Sequence, residues 1–201
     1  LYAGGVSVPL SIKLEESNDL TFRIQHSESR FVIVSGQQLP KIRRIISQLD
    51  CVEKVIVLDN IPAANAKEVS MEWVQALGDS YLFGHKAEFE ERYKSVKPDD
   101  YATISYTSGT TADPKGVLLT HRNYTANVEQ AHSVIGVKPD STMLIILPLD
   151  HCFAHVAGFY TMMSYCSSIA TVPVGANPLA TLRNIPIAIK EVRPHVMLSV
   201  P

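Results

Sequence analysis

The sequence predicts an α/β protein in which mostly parallel sheet layers are flanked by helices. Three observations carry that expectation. Continuous apolar, β-prone runs at residues 31–34, 55–58 and 143–147 are of the kind buried on both faces of a parallel sheet. Between the first two, Leu39, Ile42, Ile45, Ile46 and Leu49 recur at helical spacing, with Pro40 tolerated in the first turn. Strand alternating with helix is the pattern of crossover connections within one sheet.

Composition bounds the rest. With 201 residues, 46% hydrophobic and 19% charged, the chain can form one substantial core or two small layers. Its 18 basic and 20 acidic residues leave a net charge of −2, which draws neither nucleic acid nor an anionic membrane. Any phosphate site must therefore be local. Cys51, Cys152 and Cys166 are odd in number and scattered, which fits a reducing, cytoplasmic setting better than a disulfide framework. The chain opens without Met or a signal peptide and stops directly after an apparent strand, so residues 1–201 are expected to be a piece of a longer protein.

Taken in order, residues 6–8 read as a short strand and residues 15–26 as a helix with only a weak 3.6-residue period. From Asp59 to Asp100 the pattern loosens into an apparent connection packed on the sheet, without a clear domain boundary. Ser70 is expected to cap a helix carrying Met71, Val74 and Leu77, and a second helix to cover residues 86–93. Glu88, Glu90 and Glu91 on it read as a solvated face, since no apolar wall stands by to raise a carboxyl pKa.

Thr120 is a plausible N-cap for a helix with Tyr124, Val128, Ala131 and Ile135 on one face and Gly136 at its end. His121 and Arg122 in its first turn oppose the helix dipole, which suits either an anionic neighbour or two exposed polar residues. Residues 148–153 turn out of the strand at 143–147, where ligands sit in open α/β sheets. No charged side chain falls between His155 and Arg183, a length that raises a membrane span. Ser164, Ser167, Ser168, Pro173, Gly175 and Asn177 interrupt it, so a buried helix over 154–165 and a strand over 169–172 explain it better. Pro178 then opens one short helix, Pro186 forces a second, and a last strand precedes Pro201.

The chemistry concentrates in residues 106–117, between β-prone runs at 101–106 and 117–120. Gly109 and Gly116 allow close backbone approach and φ > 0, so that N–H groups can form an anion nest. Thr107, Ser108, Thr110 and Thr111 add hydroxyl donors, and Lys115 adds a mobile cation beside Pro114. Together they suit a polyphosphate. The register is not that of a Walker loop, because Lys115 is followed by Gly116 and a strand rather than by Ser or Thr opening a helix. A plain solvated turn is the competing reading, but ordinary connections run to only about 4–6 residues.

The run Thr107-Ser-Gly-Thr-Thr-x-x-Pro-Lys-Gly116 resembles the phosphate-binding signature of the adenylate-forming (AMP-binding) superfamily, and the match extends through residues 98–106 and 118–123. Leu147-Pro-Leu-x-His-x-Phe153 resembles a second signature of the same superfamily. The resemblance, closest to long-chain fatty acyl-CoA synthetases, implies part of a large N-terminal domain. It implies a reaction using Mg2+-ATP, a fatty acid and coenzyme A as small-molecule partners. The loop from Thr107 to Gly116 would hold the β- and γ-phosphates, and Lys115 would follow the departing pyrophosphate. His151 would orient the reacting carboxylate, Phe153 would line the acyl pocket, and Phe159, Met162 and Met163 are candidates for its wall.

Competing readings remain. His151 and His155 share the i, i+4 spacing of a zinc pair but lack the glutamate of a His-Glu-x-x-His site, and either histidine can be a satisfied core residue. An aryl or amino acid is an alternative substrate, and a non-catalytic nucleotide-binding module an alternative role. A small-molecule reductase with a similar α/β sheet is disfavoured because no Gly-x-Gly-x-x-Gly loop follows Val8 or Val34. Two residues depart from the family pattern: Ala112 replaces a glycine, and Ala154 stands where long-chain enzymes often carry glutamate. The later motifs of the family are not in these residues, so the piece alone is expected not to complete catalysis. Peripheral membrane contact by the parent stays open, and oligomeric state is beyond the sequence.

Overall fold

A computed structural model describes residues 4–107, 114–175 and 177–199, with the side chain of Pro178 excepted. The chain forms two compact units, Leu1–Leu118 and Leu119–Pro201.

In the first unit, β1 (Phe31–Val34), β2 (Lys54–Val57) and β3 (Glu68–Ser70) form a parallel sheet in that order, with Phe31 opposite Lys54 and Val55 opposite Glu68. Its core joins Leu20 and Ile24 of α1 (Ser17–His26) to Leu39, Ile42 and Ile45 of α2 (Leu39–Ile45), over Val34, Val55 and Val57. The helical pattern expected through Leu49 is split. Residues Ile46–Gln48 tighten to a 3₁₀ turn, and Leu49 follows it fully buried into the same core.

Sequence did not foresee β3, because its first residue is a glutamate. Glu68 is nevertheless buried, its side chain only 2% exposed. Arg43 forks onto it, Nε to Oε1 at 2.9 Å and Nη2 to Oε2 at 2.7 Å, while the Ala64 N–H and the Asn65 amide each donate to it at 2.8 Å. Arg43 also donates to the Pro62 carbonyl at 3.1 Å. One carboxylate thus ties α2, the 59–67 connection and β3 together. The fork from Arg43, above all, holds the Glu68 carboxyl below the usual carboxylate range.

The two helices expected between Ser70 and Tyr93 are present as the two arms of α3 (Met71–Lys94), separated by a kink where His85 leaves helical backbone geometry. Ser70 caps it as expected, its Oγ accepting the Trp73 N–H at 3.1 Å. The helix buries no residue, so it is not the packed connection anticipated; Trp73 is 52% and Phe83 98% exposed. Glu88 and Glu91 are exposed, and Glu90 pairs with Lys94 at 3.3 Å, the solvated face expected.

β4 (Tyr101–Tyr106) and β5 (Gly116–Thr120) pair as a separate two-stranded sheet. The strand expected at residues 6–8 reduces to a single parallel bridge from Ser7 to Thr103. Ser7 gives its N–H to the Ala102 carbonyl and accepts the Ile104 N–H, both at 2.9 Å.

The second unit is built on β6 (Thr142–Ile145), parallel to and between β7 (Ser168–Thr171) and β8 (Val196–Met197). Val137, Met143, Ile145 and Met162 form its core. α4 (His121–Ile135) opens on a reciprocal cap: the Asn123 N–H donates to Thr120 Oγ1 at 3.2 Å, and the Thr120 N–H to Asn123 Oδ1 at 2.9 Å. Gly136 closes it at φ 65°, where an alanine would be strained.

The helix expected over 154–165 is a π-helix, Ala154–Tyr160, running into α5 (Thr161–Ser164). The buried carbonyl of Val156 accepts both the Thr161 N–H and the Thr161 hydroxyl, the latter at 3.0 Å, and this wide turn replaces an α-helical one. α6 (Pro178–Val192) is one helix and not two. Pro186 lies inside it on an exposed face, where a missing N–H is cheapest. Among the described residues, no helix is long and apolar enough to cross a membrane.

Candidate active site

The first unit holds the stems of the hydroxyl- and glycine-rich loop. Thr107, exposed beyond the end of β4, donates its N–H to the Lys115 carbonyl at 3.0 Å, which closes the loop at its base. Lys115 is itself exposed. Ser108, Gly109, Thr110 and Thr111, together with Ala112, lie outside the described residues.

Gly116 differs from expectation. It is the first residue of β5, without positive φ, and its role is close approach. A Cβ there would sit 2.9 Å from Ile104 Cγ2 and 3.4 Å from the Tyr106 ring carbons Cε1 and Cζ. Gly116→Ala is therefore expected to cost about 1–2 kcal/mol by forcing β4 and β5 apart. A thermal melt checks this, and an unchanged Tm would contradict it.

The second unit carries the other candidates. His151 and Phe153 are exposed on the turn beyond β6, with the His151 N–H donating to the Pro148 carbonyl at 3.3 Å. The His155 N–H donates to the His151 carbonyl at 3.1 Å, so the two histidines share one turn. Their side chains have different surroundings. His155 packs among aromatic rings, 4.7 Å from Tyr160, 6.0 Å from Tyr124 and 6.3 Å from Phe159. Burial lowers its pKa and keeps it neutral near pH 7.

His155 is thus half-buried among these rings. Among the described residues, no group of three or more His, Cys, Asp or Glu stands ready to hold a metal. Phe159 packs partly buried against the core of Met143, Ile145 and Met162, and Met162 is fully buried there, whereas Met163 is 55% exposed.

Sequence reasoning missed what supports the loop from behind. Tyr106, the last residue of β4, places its hydroxyl 2.8 Å from His26 Nδ1 and 3.2 Å from the Arg23 carbonyl, both on α1. These residues are 80 and 83 positions apart in sequence, and no local pattern could join them.

With this geometry the chain can be set beside known proteins. The family described as AMP-binding enzyme matches residues 1–201. The chain belongs to that family. Among curated AMP-binding relatives, it is 31% identical to long chain acyl-CoA synthetase 6, peroxisomal, of Arabidopsis thaliana, over 74% of this chain and 21% of that protein. It is 27% identical to the long-chain-fatty-acid--CoA ligase ACSBG2 of Xenopus laevis, over all of this chain and 27% of that protein.

Among solved structures, the inhibitor-bound N-terminal domain of FACL13 from Mycobacterium tuberculosis aligns with a TM-score of 0.71 at 24% identity, over all of this chain and 44% of that one. The anthranilate CoA ligase AuaEII with anthranoyl-AMP aligns with a TM-score of 0.73 at 17% identity, over 96% of this chain and 34% of that one. These likenesses establish that the chain shares the α/β fold of those proteins. The chain thus spans only about a fifth to a quarter of the length of these two curated relatives.

Proposed function

We propose that this chain is the triphosphate-gripping part of a longer, AMP-forming acyl-CoA ligase whose acid is a long-chain fatty acid. In the first half-reaction a carboxylate oxygen attacks the α-phosphorus of ATP, and the bond to the β-phosphate oxygen breaks to release pyrophosphate. In the second, the thiol sulfur of coenzyme A attacks the acyl carbon, loses its proton and expels AMP. The protein's part is positioning and charge stabilisation.

The observation that supports this most is the closed base of the loop. The bond from the Thr107 N–H to the Lys115 carbonyl brings both ends of the hydroxyl-rich run together and leaves the lysine side chain exposed at its mouth. Backbone N–H groups and the hydroxyls of Thr107, Ser108, Thr110 and Thr111 then hold the β- and γ-phosphates. Lys115 neutralises charge that grows on the leaving pyrophosphate. Mg2+ enters with the substrate, coordinated by phosphate oxygens, as is usual for this ion.

His151 orients the carboxylate, Phe153 and Phe159 line the acyl entrance, and the remaining catalytic parts come from elsewhere in the ligase. The free thiols of Cys51, Cys152 and Cys166 suit a reducing, cytoplasmic compartment.

Carboxylate-dependent ATP–pyrophosphate exchange by the full-length protein, run over fatty acids from short to long and over aryl and amino acids, tests the substrate class. The highest kcat/KM is expected for a long-chain fatty acid. A preference for an aryl or amino acid would assign the chain to that branch.

A further inference from the structure

β4 is tied down at the point where it enters the loop. The Tyr106 hydroxyl donates to the Arg23 carbonyl at 3.2 Å, so the consistent tautomer of His26 carries its proton on Nδ1 and donates to the phenolic oxygen at 2.8 Å. Arg23 is fixed in turn by Asp19, Nε to Oδ1 at 3.0 Å and Nη2 to Oδ2 at 3.2 Å, and its guanidinium lies 5.3 Å from the centre of the Tyr106 ring. Phe22 stacks on the His26 imidazole with ring centres 5.1 Å apart. Partial burial pushes the Tyr106 pKa up, which keeps the phenol a neutral donor.

The same ring meets the other stem. Gly116 approaches it so closely that an added Cβ would stand 3.4 Å from two of its carbons, and the neighbouring Thr107 bonds Lys115. One aromatic side chain therefore touches α1, the end of β4 and the start of β5. The stem-to-stem distance and the direction in which Lys115 leaves the strand both depend on where that ring sits.

We infer that Tyr106 and His26 are positioning residues for the phosphate loop: their hydroxyl–imidazole bond sets the stems so that Thr107 and Lys115 meet the terminal phosphates of ATP. This inference rests on the reading of the loop given above. The bond is exposed and lies outside the packed core of its unit, so losing it does little to folding. Small displacements of a phosphate-gripping lysine cost much more, up to ~10²-fold in rate for about 1 Å.

The test is steady-state ATP–pyrophosphate exchange by the full-length protein with Tyr106→Phe, His26→Ala and His26→Asn, alongside Lys115→Ala and a thermal melt of each. Tyr106→Phe and His26→Ala are expected to raise KM for ATP about 10-fold while KM for the acid and Tm stay near wild type. His26→Asn, whose amide donates from near the Nδ1 position, is expected to restore most of the loss.

If Lys115→Ala impairs exchange but Tyr106→Phe and His26→Ala leave KM for ATP unchanged, the positioning role is overturned and the loop reading stands. If Lys115→Ala itself has no effect, the loop reading fails and the inference falls with it. Equal rises in both KM values together with a lowered Tm would mark the contact as merely structural. Should His26→Ala not fold, Tyr106→Phe, which removes one oxygen and keeps the ring, decides alone.

Discussion

Replacing Lys115 with alanine in the full-length protein is expected to slow ATP–pyrophosphate exchange by about 10²–10³-fold, the range typical of removing one preorganised charge-stabilising group. The lysine is exposed at the base of the loop and so is free to move with a charged group as that group departs. Charge on the pyrophosphate grows as its bond to the α-phosphorus breaks, so the loss should fall on kcat, and loss of the grip on the terminal phosphates should raise KM for ATP as well. Lys115→Arg should rescue poorly, since a planar guanidinium does not replace a compact ammonium on a flexible stem. Exchange rates across ATP concentration check both statements.

The largest stability effect is expected at Arg43. Glu68 is 2% exposed and carries its charge only because Arg43 forks onto it with help from Ala64 and Asn65. Arg43→Met leaves that carboxylate with two weaker donors, and a clearly lowered denaturant midpoint at pH 7 is expected.

The pH dependence has a definite sign. The folded carboxyl titrates below the unfolded one, so the pair stabilises fully above the ordinary carboxylate pKa of about 4.3. That contribution is lost as pH falls through the lowered folded value. Wild type should lose stability on acidification through this window, and Arg43→Met should show a flatter profile. Denaturant melts between pH 7 and pH 3 measure it, and parallel profiles would contradict the assignment.

Which features were legible in the sequence follows from how local their causes are. β1 and the caps at Ser70, Thr120 and Gly136 were readable because each depends on a few neighbouring residues. The loop's composition is local in the same way, with hydroxyls, glycines and one lysine side by side, and it is what the proposed phosphate grip is read from.

Features set by distant partners were not readable. β3 begins with a charged residue whose main partner, Arg43, stands 25 positions away. α3 buries nothing on either side of its kink at His85, although Trp73, Leu77 and Phe83 would suggest packing. The π-helix at Ala154–Tyr160 follows from one threonine bonding a carbonyl five residues back, which periodicity does not register. Gly116 has no positive φ, and what its lack of a Cβ does in the fold, making room for Ile104 and Tyr106, depends on β4 residues ten or more positions back.

The most direct test of the central claim is product inhibition of the exchange-competent full-length protein by pyrophosphate and by AMP, compared between wild type and Lys115→Ala. If the loop grips the terminal phosphates, the inhibition constant for pyrophosphate should rise about 10-fold or more in the variant while that for AMP stays unchanged. An unchanged response to pyrophosphate, or an equal loss for both products, would contradict the account.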